Sequence, residues 1–428
     1  MPDWKNKMTK RTILVLTLTA FFFTACVPVS NEGSGVPVID QTTAKTERVT
    51  VLPAANTAAA QPPPSETPKP TGTLSPEDCP PVYAKLEFST DFTIHNVPYT
   101  QIRRGGPSKD GIPAIDEPEY FTILEADIWL KENDPVIFIE VNGDGRAYPL
   151  QILVFHEIVN DEIKDVPITV TYCPLCNTGI AFERTLGNRV LDFGTTGRLR
   201  FSNLIMYDRQ TETWWQQANG EAIIGELTGK QLTIYPAAII SWLAFKNNFP
   251  DGSVLSYHTG FDAPYGLSPY ESFDEQDEVP FHYEGADIPT VLPPLERVLG
   301  INVNGESVAY PFSSLMGTNV VQDQVGGSDI VIFWLPDTFS VLDEMYVWES
   351  RNVGSAVAFE NLEGINLHFI YDGLNFIDSE TGSTWNFLGQ ALHGPLQGQS
   401  LKPLLSFDHF WFSWFAFYPE TGVYSEEK

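Results

Sequence analysis

The chain has 428 residues, and 55 acidic against 25 basic side chains leave a formal charge of −30. So negative a surface repels phosphate backbones and anionic headgroups, which argues against nucleic acid as a partner. The length exceeds what one core usually needs, while 33 prolines, 32 glycines and 13% aromatic residues disfavour long helices; a mainly β protein with short helices (β-rich α+β), built of two units, is expected.

At the N-terminus Lys5, Lys7, Lys10 and Arg11 precede an apolar run from Ile13 to Phe23, too short for an ordinary spanning helix and laid out like an export signal. The run ends in "FTAC", where Thr24 and Ala25 before Cys26 resemble a bacterial lipobox, whose cysteine is lipidated and becomes the mature N-terminus. Residues 1–26 are expected to export the chain and anchor it through Cys26 to the outer face of a bacterial membrane, at the cell surface or in the periplasm. Phe23 stands where leucine is usual, so a plain signal peptide or an uncleaved anchor are the alternatives. Residues 27–80 are rich in Thr, Ala and Pro and poor in bulky apolar groups; they are expected to form a disordered tether. Cys79, at its end, is assigned no chemistry.

The remainder contains one pattern twice. "VNGDGRAYPLQIL" (141–153) is matched by "VNGESVAYPFSSL" (303–315), with Tyr148 opposite Tyr310 and Pro149 opposite Pro311, an offset of 162 (310 − 148). Further on Asp208, Thr211 and Trp215 stand opposite Asp378, Thr381 and Trp385, and Trp242 opposite Trp411. The first unit, with its N-terminal extension, is taken as residues 81–256 and the second, diverged copy as 297–428. Residues 257–296 form an acidic, turn-rich connection long enough to cover a site. "EIVNDEI" and "VPITVTY" around Lys164-Asp165 read as a hairpin, as do "GIAFERT" and "RVLDFG" around residues 186–188, and helix is expected chiefly around "AAIISWLAFKNNF". The tryptophans at 214, 215, 242, 385, 411 and 414 are expected in the cores.

Residues that a fold needs should recur in both units, whereas those serving a site in one need not. Opposite Cys173 and Cys176 stand Leu335 and Thr338, opposite His156 stands Thr318, and opposite Met206 stands Phe376. The shared loss suggests one site. Two thiolates, one imidazole and a thioether from Met206, the weakest member, form a soft set suited to a single copper ion, with zinc accepting the first three. Here His156 is placed at the start of a hairpin strand, with Glu157 and Asp161 orienting its ring. The other readings of "CPLC" are a structural disulfide and a redox dithiol with Cys173 as nucleophile.

"RGGPSKDGIPAIDEPEYF" (104–121), "RAYPLQILVFHEIVND" (146–161), "VTYCPLCNTGIAFER" (170–184) and "SNLIMYDRQTETWW" (202–215) together resemble the family catalogued as domain of unknown function 3179. By that resemblance His156, Glu157, Asn160, Cys173, Pro174 and Cys176 fall on the family's motif positions, while Thr213 departs from its common serine. The resemblance implies no reaction, substrate or cofactor. It does point to Lys109, Asp110 and Asp116 as pocket contacts, against which stands a turn-rich clamp closing the first unit. The reading is an exported copper-binding protein with a His/Cys/Cys site. Its alternatives are a thiol-disulfide oxidoreductase and an extracellular interaction module with a structural disulfide.

Overall fold

The computed structural model describes residues 47–50, 79–81, 83–275, 278–362 and 364–425. The export segment, Cys26 and most of the tether lie outside these residues. Lys164 and Asp165 both take positive φ, 48° and 63°, the pair of left-handed conformations that lets a two-residue loop match the twist of its strands. They join Ile158–Ile163 to Val166–Cys173, and Thr178–Glu183 and Ile234–Tyr235 extend that hairpin into a four-stranded antiparallel sheet. The last six residues of Val166–Cys173 are all buried, so both faces of this strand are covered.

Two more sheets complete the first unit. One runs in the order Ala238–Ser241, Pro135–Val141, Asp144–Pro149, Ser253–Leu255, Tyr120–Thr122, and the other Glu221–Ile224, Trp214–Gln216, Asn203–Asp208, Phe193–Arg200, Ile102–Arg104. The same orders recur in the second unit. Ser406–Phe410, Arg297–Val303, Glu306–Pro311, Gly422–Ser425 and Glu47–Thr50 follow one another as in the first sheet, and in both units the fourth strand is parallel to the third. The other two sheets of the second unit are Lys402–Pro403, Ser355–Glu360, Ser328–Leu335, Val320–Val325 and Ala391–His393, Thr384–Trp385, Phe376–Asp378, Phe369–Tyr371.

Buried polar contacts recur with the strands. Tyr148 donates to Asp161 and Tyr310 to Asp323, while the indole N–H groups of Trp215 and Trp385 donate to Asp208 and Asp378 at 2.9 and 2.8 Å. In each case the other carboxylate oxygen accepts from the backbone N–H three residues on, at Thr211 and Thr381, both 2.6 Å. One carboxylate thus closes a turn and satisfies a buried indole. All six tryptophans named above are fully buried.

Each unit lays an edge strand over the other. Ala238–Ser241 packs on Ser355–Glu360, and Ser406–Phe410 packs on Thr178–Glu183. Ser241 donates to Asp337 at 2.6 Å across this contact, and His409 meets Thr178 at 3.0 Å. The described residues of the two units accordingly pack as one compact body.

Three local expectations differ from the structure. Leu150–His156 is a helix, so His156 ends a helix instead of starting a strand; the segment is apolar at almost every position, and so carries no helical period to read. The hairpin around Gly187 is only Thr185–Leu186 with Arg189–Val190, because Thr178–Glu183 is already paired on both sides. Residues 47–50, placed in the tether, pair with Gly422–Ser425. Among the described residues no helix is long and apolar enough to cross a membrane.

Asp378→Ala should destabilise the chain by about 2–4 kcal/mol in urea unfolding, because it strands a buried indole N–H and a backbone N–H together. Asp208→Ala should cost a similar amount.

Candidate dithiol site

Cys173 is the last residue of its strand. Pro174–Cys176 turn as one 3-10 segment, and Asn177 ends it with φ 51°. The turn brings the two sulfurs to 2.9 Å, so a disulfide bond of about 2.05 Å requires an approach of only ~0.9 Å. Both side chains are buried, and both cysteines are free. The Cys176 sulfur lies 3.3 Å from the Ser202 carbonyl and accepts from the Asn203 amide at 3.3 Å. Asn203 is held by Gln217, whose amide donates to Thr171 and to the Thr178 carbonyl.

From behind, the second unit buttresses the turn. The Thr178 hydroxyl donates to the Cys176 carbonyl at 3.2 Å, so it accepts from Nδ1 of His409. Burial holds this imidazole neutral, pushing its pKa down to about 3, and its Nε2 has no hydrogen-bond partner among the described residues. Phe407 joins the apolar cluster that contains both cysteines and Met206.

His156 is not brought to the sulfurs. A carbonyl can only accept, so Nδ1–H donates to Pro113 O at 2.7 Å, leaving Nε2 to accept from the Tyr265 hydroxyl at 2.5 Å. Tyr265 in turn contacts Thr259 at 2.5 Å. Both ring nitrogens are occupied, and burial lowers the ring's pKa against the opposing effect of the Pro113 bond. Among the described residues no three His, Cys, Asp or Glu side chains are grouped to hold a metal ion. The expected three-ligand centre is therefore not assembled. His156 instead ties the connecting loop to the Gly-rich segment.

The other candidate residues are structural partners elsewhere. Asn160 donates to Asp116 and to Phe193 O, both 2.8 Å, and accepts from Phe193 N; Asp116 also pairs with Arg209 at 2.5 Å. Asp161, expected to orient the imidazole, is taken by Arg146 at 2.7 Å and by the hydroxyls of Tyr120 and Tyr148. Lys109 pairs with Glu212 and lies over the rings of Phe88 and Tyr207, while Asp110 accepts from Tyr207 at 2.5 Å. Residues 104–121 are tied to the first unit by these pairings, and their Gly105, Pro107 and Ile112 form the wall of a pocket.

That pocket, about 360 Å³, is mostly apolar and opens beside the dithiol turn. Leu175, between the two cysteines, lines it together with Leu204, and Tyr270 and Phe273 of the connecting loop cover it. Its one carboxyl group belongs to Glu157, which is only 8% exposed. No hydrogen bond to this carboxyl is found among the described residues, and burial pushes its pKa up to about 8. The Cys173 thiol is also pushed well up, first by burial, then by its bond to Cys176 and the nearby negative charges of Cys176 and Glu157. Another hollow, about 370 Å³, lies between the units around Tyr235, Phe359 and Leu401 and contains no thiol.

A motif in sequence does not reveal Tyr270, Leu175 or Arg198 at this pocket. For Glu157 a signal existed, since the residue opposite it in the second unit is Asn319. The folded state of Glu157 binds its proton more tightly than the unfolded chain does, so stability falls as pH rises from about 4.5 to about 8. Glu157→Asn removes that loss. The titratable or charged groups facing it are Cys173, Tyr270 and Arg198, and the last is already paired with Glu87 at 3.0 Å. Thermal unfolding should show the variant more stable than wild type at pH 8.5, by on the order of 3 kcal/mol, with the two converging near pH 4.5.

No curated protein and no solved structure matches the chain. A family model does match residues 109–421, which include most of both units and all of the pocket's lining except Gly105 and Pro107. The chain belongs to the family described as Protein of unknown function (DUF3179).

Proposed function

We propose that the chain is a thiol-disulfide oxidoreductase of the bacterial cell exterior, exported by residues 1–26 and tethered through Cys26, with Cys173 and Cys176 as its redox pair. The observation that carries this reading is the approach of two free sulfurs to 2.9 Å beside a mostly apolar pocket that contains a carboxyl group with no hydrogen-bond partner among the described residues. A structural staple needs the first of these features and neither of the others.

Burial of both sulfurs selects the partner by size. Both cysteines are buried, and Leu175 between them lines the pocket, so a small disulfide seated there is favoured over one carried by a folded protein. The substrate class is therefore a low-molecular-weight, largely apolar disulfide. Its reduction oxidises the pair, and an external dithiol reductant restores it.

The test is to reduce the full chain, purify it without chelators, measure metal content and add 2,2′-dithiodipyridine. Metal-free protein should release two thiopyridones per chain beyond those released by the Cys173→Ser, Cys176→Ser double variant. A stoichiometric metal ion lost in the double variant, or equal release from both proteins, would overturn the reading.

A further inference from the structure

Glu157 follows the helix Leu150–His156, where the chain must turn into the next strand with φ 59°. Its N–H donates to Leu153 O and its carbonyl accepts from Tyr172 N, both at 2.8 Å. Asn319 does the same in the second unit: φ is 59°, its N–H donates to Leu315 O and its carbonyl accepts from Trp334 N. Left-handed backbone at a helix end favours glycine or asparagine, and glutamate gains nothing there. The asparagine side chain also bonds locally, its amide donating to Trp334 O at 3.1 Å.

The first unit thus places a buried carboxyl, with no partner among the described residues, on a left-handed backbone that is served by asparagine in the second. Such a residue at a pocket marks chemistry more often than architecture. The neighbouring groups narrow the role. Arg198 is committed to Glu87 and to Thr196 O, His156 points away to Pro113 and Tyr265, and no ion pair involving Glu157 is found among the described residues. The Glu157 carbonyl accepts from the backbone N–H of Tyr172, the residue before Cys173, and its side chain shares the pocket wall with Leu175, the residue between the two cysteines.

We infer that Glu157, on the pocket wall, is the general base that takes the proton from the Cys173 thiol behind Leu175 and then returns it to the departing thiolate. This rests on the redox reading above. In the forward step the S–H bond of Cys173 breaks, its proton passes to the Glu157 carboxylate, and the sulfur attacks one sulfur of the small disulfide. The substrate S–S bond breaks, its electron pair leaves on the second sulfur, and that thiolate takes the proton from Glu157. Cys176 then attacks the Cys173 sulfur, the bond from Cys173 to the remaining substrate sulfur breaks with its electron pair on that sulfur, and the departing thiolate takes the proton from Cys176. The products are two small thiols and the Cys173–Cys176 disulfide, with two electrons and two protons transferred.

The experiment follows thiopyridone release from 2,2′-dithiodipyridine by the prereduced full chain at pH 8, for wild type, Glu157→Gln, Glu157→Asn and Glu157→Asp. General base catalysis contributes about 100-fold or more, so the Gln and Asn variants should be slower by that order and Asp intermediate. Near-ultraviolet circular dichroism and thermal melting show whether each variant is folded, and the asparagine variant should melt no lower than wild type. Gln and Asn variants that are folded and as fast as wild type would overturn the role of Glu157 while leaving the dithiol standing. Wild type no faster than the double cysteine variant would overturn the dithiol reading itself.

Discussion

The site depends on the crossing of edge strands between the two units. Ser406–Phe410 lies over Thr178–Glu183, and this one contact supplies Phe407 to the cluster around the cysteines and His409 to the hydroxyl that holds the Cys176 carbonyl. Without that cover the dithiol turn would have a wet rear face, and Cys173 would lose part of the burial that raises its thiol pKa. The second unit thus shapes the electrostatics of a site to which it contributes no sulfur. The neutral His409, with an unmet Nε2, is a cost of that packing.

Comparison of the two units separates architecture from chemistry residue by residue. The Tyr–Asp pairs, the Asp–Trp pairs and the left-handed turn at residues 157 and 319 are present twice, with the same partners. Cys173, Cys176 and Glu157 are present once. Glu157 accepts through its carbonyl from the backbone N–H of Tyr172, the residue before Cys173, and both belong to the unit whose pocket is lined with apolar residues. An apolar wall strengthens each electrostatic effect within it, which suits proton transfer between two groups that water would otherwise hold apart in pKa.

Much of the fold was legible because it is written locally. Lys164-Asp165 forms its two-residue turn, the paired tryptophans are buried, and the connection at 257–296 covers the pocket with Tyr270 and Phe273. The site was half legible: the cysteine turn follows from its spacing, but the grouping of His156 with the sulfurs rested on shared absence from the second unit. The ring had two other partners, Pro113 and Tyr265, one 43 residues before it and the other 109 residues after it, and no local pattern announces bonds over such separations. The helix at Leu150–His156 turned His156 away from the strand position assumed for it. Glu157 was visible as a motif residue, yet its meaning lies in its backbone conformation, which only the coordinates disclose.

The central claim is that Cys173 and Cys176 interconvert between dithiol and disulfide within the folded chain. Equilibrating the full chain across a series of oxidised-to-reduced dithiothreitol ratios, trapping free thiols with a mass-tagged maleimide and counting the tags tests it most directly. The account predicts one reversible two-electron transition, reached from either direction and absent in the Cys173→Ser, Cys176→Ser variant. A pair that stays oxidised at every ratio until the protein unfolds, or that stays reduced throughout, would contradict it.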